Sequence, residues 1–174
     1  MKQIVVITAV GQDRPGIVAA LAKAMFDIGA NLDDATMTRL HDAFATMVSA
    51  ALPEGMSVDD CRAALAPIAE SSGLTVTVQA VPSDRVEDAP PDHLLTVYGT
   101  DKPGIVYHVA QQLAQRGVNI TDMDTRRAGS DASPLYIMLL EIASGDIDLT
   151  QDLALLRTQL QVDITLQTLD REAL

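Results

Sequence analysis

The stretch Gly11-Gln12-Asp13-Arg14-Pro15-Gly16-Ile17-Val18 is written again, with two positions changed, as Gly99-Thr100-Asp101-Lys102-Pro103-Gly104-Ile105-Val106. The same offset of 88 residues carries Gly29-Ala30-Asn31-Leu32 onto Gly117-Val118-Asn119-Ile120, Asp34 onto Asp122 and Arg39 onto Arg127. Solenoid repeats run to about 20–50 residues, so a period this long describes two small domains instead. They are expected over residues 1–81 and 93–174. Residues 82–92, rich in Pro and acidic side chains, read as an exposed, semi-extended linker.

Each copy begins as a strand that hands over to a helix. Apolar strands at 4–10 and 94–98 run into Gly11 and Gly99, then into Asp13 and Asp101 two residues before a proline. Pro15 and Pro103 fit the first helical position, where a missing N–H costs nothing. Gly16 and Gly104 leave space where the backbone comes closest to whatever lies over the helix start. Free N–H groups and the positive end of the helix dipole make that start suitable for a small anionic group such as a carboxylate. Asp13 and Asp101 also read as helix caps.

The rest of each copy follows the same grammar. The helix from Pro15 places Ile17, Val18, Leu21, Met25 and Ile28 on one face and stops at Gly29; the helix from Pro103 uses Val106, Val109 and Leu113 and stops at Gly117. The continuous apolar run at 3–10 predicts a strand buried on both faces. Strands at 31–39 and 44–52 form a hairpin through His41-Asp42. Ser57 with Asp60 opens a second helix carrying Val58, Cys61, Leu65 and Ile68, and 74–81 alternates as a strand with one buried face. In the second copy, strands at 119–127 and 135–143 precede a helix opened by Asp148 and Gln151, with Leu149, Leu153, Leu156 and Leu160 on its apolar stripe, and a last strand at 162–169. The order βαββαβ is the split arrangement of ferredoxin-like folds, an α+β class with antiparallel sheets.

Strand, Asp-x-Pro-Gly-Ile-Val, helix and Gly-x-Asn-(Leu/Ile)-x-Asp together resemble the ACT domain, a regulatory amino-acid-binding module, in both halves of the chain. In ligand-binding ACT domains the amino acid sits between the strand-to-helix loop and this Asn, at an interface of two ACT units. The resemblance therefore implies a site of Gly11, Asp13, Pro15, Gly16, Ile17 and Asn31 in one copy. In the other it implies Gly99, Asp101, Pro103, Gly104, Ile105 and Asn119. An Asn side chain both donates and accepts, so it can read the carboxylate and the ammonium of a free amino acid. Exposed edge strands at 31–39 and 119–127 are expected to pair the two units side by side within the chain. The copies differ at Thr36 and Thr38 against Asp124 and Arg126, so ligand occupancy is expected to be unequal.

Charge and composition limit the function further. The net charge of −12 is spread over both halves, which disfavours direct binding to nucleic acid. Aromatic residues are 3% of the chain, too few for base-stacking platforms. The lone Cys61 falls on a helical apolar stripe and excludes an internal disulfide, which fits a reducing compartment. No leader or membrane-length apolar run is seen, so a cytoplasmic protein is expected. His41, His93 and His108 lack metal-ligand spacing, and the acidic pairs Asp33-Asp34, Asp122/Asp124 and Asp146/Asp148 match no EF-hand loop; no metal, cofactor or catalytic set is expected. The layout is similar to that of the two-ACT bacterial repressors of the glycine cleavage system. It implies a non-catalytic regulator that binds a small amino acid, glycine being a candidate, and acts on transcription through a DNA-binding protein partner, with a homodimer as a further option. Two alternatives stay open: a regulatory subunit of a metabolic enzyme, as in the ACT region of formyltetrahydrofolate deformylase, and an interaction module without a ligand.

Overall fold

The computed structural model describes residues 3–82, 89–130 and 133–169. The chain divides into two compact units, Met1–Val86 and Glu87–Leu174. The first contains β1 (Ile4–Gln12), α1 (Ile17–Asp27), β2 (Asn31–Leu40), β3 (Ala43–Ala51), α2 (Val58–Ser72) and β4 (Thr75–Ala80). The second repeats the order as β5 (His93–Thr100), α3 (Ile105–Gln115), β6 (Asn119–Ser130), β7 (Ser133–Ala143), α4 (Thr150–Leu160) and β8 (Asp163–Thr168). Each unit has one four-stranded antiparallel sheet, ordered β2-β3-β1-β4 and β6-β7-β5-β8. Two ferredoxin-like ACT folds stand in series.

The helices lie on one face of each sheet, which corrects the expectation for 3–10. Val5, Ile7 and Ala9 are buried under α1 and α2, while Ile4, Val6 and Thr8 alternate with them and are only half-buried. The run looked doubly buried because its open face is apolar as well. In α1 the core face is Ile17, Leu21, Ala24 and Met25, whereas Val18 is 55% exposed. The capping box of α2 forms as expected: the Ser57 hydroxyl accepts from the Asp60 N–H at 3.1 Å, and the Asp60 carboxylate accepts from the Ser57 N–H at 2.9 Å. Leu149, Leu153, Leu156 and Leu160 are all buried in the second core. The N-cap of α4 is Leu149 and carries no side-chain cap, contrary to the expectation for Asp148 and Gln151; Asp148, one residue earlier, accepts from the Thr150 N–H at 2.9 Å.

Of the expected linker, residues 83–88 lie outside the described residues, and its last member is not linker at all. The Asp92 N–H donates to the Ile142 carbonyl, and its own carbonyl accepts from Leu169, both at 2.9 Å. Its carboxylate accepts from the Ser144 N–H at 2.9 Å, the Ser144 hydroxyl at 3.0 Å and the Gly145 N–H at 2.6 Å, and it lies 2.8 Å from His93 Nδ1. Asp92 thus fastens the start of β5 to the turn between β7 and α4. Burial alone would raise its pKa, but these hydrogen bonds outweigh burial and hold the carboxyl well below the usual carboxylate range.

Candidate ligand site

The two strand-to-helix loops have one geometry. α1 and α3 start at Ile17 and Ile105, so Pro15 and Pro103 lie in the turn before the helix and not at its first position. Gly16 and Gly104 are the N-caps, with φ of 94° and 97°. This region favours glycine because an L side chain there approaches its own backbone. Around Gly16 no atom lies within 4 Å of where a Cβ would stand, so the glycine is set by backbone conformation and not by something packed over it.

Asp13 and Asp101 do not cap the helices, as had been one expectation. Each stands three residues before its N-cap, and its carboxylate turns to an arginine near the loop end of the sheet's edge strand, β2 or β6. Asp13 meets Arg39 at 3.3 Å and Asp101 meets Arg127 at 2.6 Å. The backbone is pinned as well, by Asp13 N–H to the Asp42 carbonyl at 2.8 Å and Asp101 N–H to the Pro134 carbonyl at 3.0 Å. Exposed ion pairs add little stability, but this one recurs in both copies and holds a guanidinium beside each loop. Arg39 and Arg127 had been noted as matched positions without a role, and their recurrence was the signal for one.

Gly11 and Gly99 serve close packing. A Cβ on Gly11 would sit 2.7 Å from Leu74 Cδ2 and 3.0 Å from the Gly73 carbonyl; on Gly99 it would sit 2.8 Å from Val162 Cγ1. Ile17 and Ile105 are 4% and 2% exposed, so their side chains anchor the helices in the core and only their N–H groups can face a ligand. Each helix therefore offers first-turn N–H groups that its own backbone does not use.

Asn31 and Asn119 lie elsewhere. Gln12 pairs with Ala43 and Ala43 with Leu40 at the loop end of the sheet, whereas Ile4 pairs with Ala51 and Ala51 with Asn31 at the other. In the second unit Thr100 and Ala128 flank Leu135 at the loop end, and Asn119 pairs with Ala143 at the opposite one. Eight strand steps separate loop from Asn, about 26 Å. A single unit does not bring them together. The Asn31 amide donates to Asp33 at 2.8 Å, and both asparagines are exposed at the head of their edge strands. The copies do differ beside the loop: Asp124 and Arg126 form an ion pair at 3.0 Å, where the first unit has Thr36 and Thr38.

Among the described residues, no group of three or more His, Cys, Asp and Glu could hold a metal ion. His93 is engaged with Asp92 and Ser144, and His108 lies edge-on to Tyr107. Cys61 is fully buried, and burial pushes its thiol pKa up. No helix among the described residues is long and apolar enough to cross a membrane.

A βαββαβ fold whose first helix is led by a left-handed glycine is built here twice. The sequence model of the ACT domain matches residues 3–79 and 92–167, and the chain belongs to the ACT domain family. A UPF0237 protein of Methanopyrus kandleri is 39% identical over 75 residues, covering 42% of this chain and 83% of that one. A UPF0237 protein of Streptococcus mutans is 31% identical over 75 residues, covering 43% and 85%. Among solved structures, a protein of unknown function from Galdieria sulphuraria has 27% identity and a TM-score of 0.83 over 98% of this chain and 100% of that one. A protein provisionally assigned as a glycine cleavage system transcriptional repressor shares the fold, at 19% identity and a TM-score of 0.69 over 98% and 99%.

Proposed function

We propose that this chain is a non-catalytic regulator that binds a small amino acid at its β1–α1 and α3-leading loops and acts on transcription through a DNA-binding protein partner. One observation carries the reading: after 88 residues of separation, both loops keep the same left-handed glycine and the same Asp–Arg pair. The free first-turn N–H groups and the arginine suit the carboxylate of an amino acid. The setting is taken from the repressor whose two-unit fold the chain shares, which makes glycine the first ligand to test.

Because loop and Asn lie at opposite ends of each sheet, a ligand that uses both takes the Asn from another ACT unit, of this chain or of a second copy. All ten residues of β2 are exposed, and an unpaired edge invites pairing. Two such edges running antiparallel about a two-fold axis set the loop of one copy beside the Asn of the other.

Titration calorimetry against the twenty amino acids tests the reading. Asn31→Ala and Asn119→Ala are expected to weaken binding unequally, since the surroundings differ. The loss should be about 1.5–3 kcal/mol where a charged ligand group loses its partner, or roughly ten- to a hundredfold in affinity. Unchanged affinity in both variants would remove the asparagines from the site. The isolated protein should show no gel shift with duplex DNA at physiological salt, because its −12 charge is spread over both halves; a submicromolar, steeply salt-dependent shift would contradict that.

A further inference from the structure

The first unit contains an apolar cavity at which three lining positions carry larger residues in the second unit. Between α1 and β2, on the helix side of the sheet, lies a half-enclosed cavity of about 150 Å³. Ile7, Thr46 and Val48 floor it, Leu21 and Met25 form the helical wall, and Met37 stands at the rim. No charged side chain lines it, and the Thr46 hydroxyl is already satisfied by the Thr36 carbonyl at 2.7 Å.

The register shows what differs in the second unit. Thr46 stands opposite Ala9 as Met138 stands opposite Val97, and Val48 stands opposite Ile7 as Leu140 stands opposite Leu95. Ala35, beside Val48, corresponds in the same way to Met123, beside Leu140. The replacements are larger at every one of these positions; Met138 and Leu140 are 0% and 1% exposed and lie in the core, whereas Met123 is 52% exposed and adds little to it. The reverse exchange of Met37 for Thr125 does not compensate, since Met37 is 58% exposed and leaves the interior empty.

Interiors normally close to crystal-like density. An apolar lining offers water few hydrogen-bond partners even where the cavity opens to solvent, and a compact hydrocarbon seated in it gains dispersion contacts that the lining otherwise lacks. We infer that the cavity is a binding site for a compact, uncharged hydrophobic molecule, about one ring or a short branched chain. It is separate from the Asp13 loop, none of whose residues 11–16 line it. A free amino acid is a poor occupant, because no group here meets either of its charges.

Benzene titrated into the full chain, followed by methionine-methyl NMR, tests the site. Saturable shifts are expected at Met25 and Met37 and not at Met123 or Met138. Thr46→Met, which copies the second unit, should weaken the response at least tenfold. Val48→Leu is a milder filling variant with the same expected direction, and circular dichroism establishes that each variant is folded. A linear response, or one shared equally by Met123 and Met138, overturns the proposal whatever the variants do. So does a folded Thr46→Met or Val48→Leu chain that takes up benzene like the parent.

Discussion

Asp92→Ala should lower the stability of the second unit by about 1–3 kcal/mol, the cost of leaving a buried donor without its partner. The carboxylate is 14% exposed and receives two backbone N–H groups, Ser144 and Gly145, together with the Ser144 hydroxyl. Ser144 is 4% exposed, so its N–H would be left with neither protein nor bulk water as partner, and each such orphan costs about 1–3 kcal/mol. Denaturant unfolding with hydrogen exchange on β5 and β7 measures the loss, and a change below about 0.5 kcal/mol would show that the network is ornamental. The pH dependence has a definite sign. A carboxyl whose folded pKa is depressed gives stability that is present above its unfolded pKa and is lost as pH falls through the folded one. The parent should therefore weaken on acidification below the ordinary Asp range, and Asp92→Asn should flatten that dependence.

Gly16→Val and Gly104→Val should each abolish measurable ligand binding at the altered loop. At φ near 95° a non-glycine residue costs about 1–3 kcal/mol, and a β-branched side chain adds crowding at χ1. The loop can escape only by shifting the first helical turn, which moves the N–H groups that face the ligand. Gly104→Val carries an added contact, since the His108 ring lies 3.4 Å from the new Cβ, whereas the Gly16 position is open. Harm from both substitutions therefore identifies backbone conformation as the cause. Where the parent binds at both loops, harm from Gly104→Val alone identifies crowding. Calorimetry separates these outcomes, with circular dichroism to confirm that the helices persist.

Local chemistry was readable from the sequence because its partners are near in the chain. Ser57 and Asp60 cap across three residues, Gly73 ends α2 in a left-handed conformation, and the leucines of α4 mark their own face. Asp92 was hidden because its partners sit 52 and 53 residues away in a turn, and its neighbourhood of Pro and acids reads as tether. Gly16 and Gly104 were read as making space over the helix start, whereas their left-handed torsion is what calls for glycine; a letter G does not say whether space or torsion requires it. The separation of Asn31 from Asp13 follows from strand register, which no motif spacing reveals. The cavity was masked by alignment: the offset is 92 residues at Thr46 and Met138, and 88 again at Leu74 and Val162. The longer β6–β7 hairpin and the shorter α4 cancel between the ends.

The repeated Asp–Arg pairs also govern how a solute arrives. A protein carrying −12 surrounds itself with an anion-repelling field. At each loop mouth Asp13 or Asp101 is matched by its arginine, and Arg14 or Lys102 adds a further positive charge, so the patch does not share the chain's overall negative balance. A zwitterion crosses such a field with little net force on it, so its capture depends weakly on ionic strength. A dicarboxylate meets the full repulsion, and dilute buffer holds it off. On the proposed reading of the loops, selection between the two begins in solution, ahead of any contact with the loop.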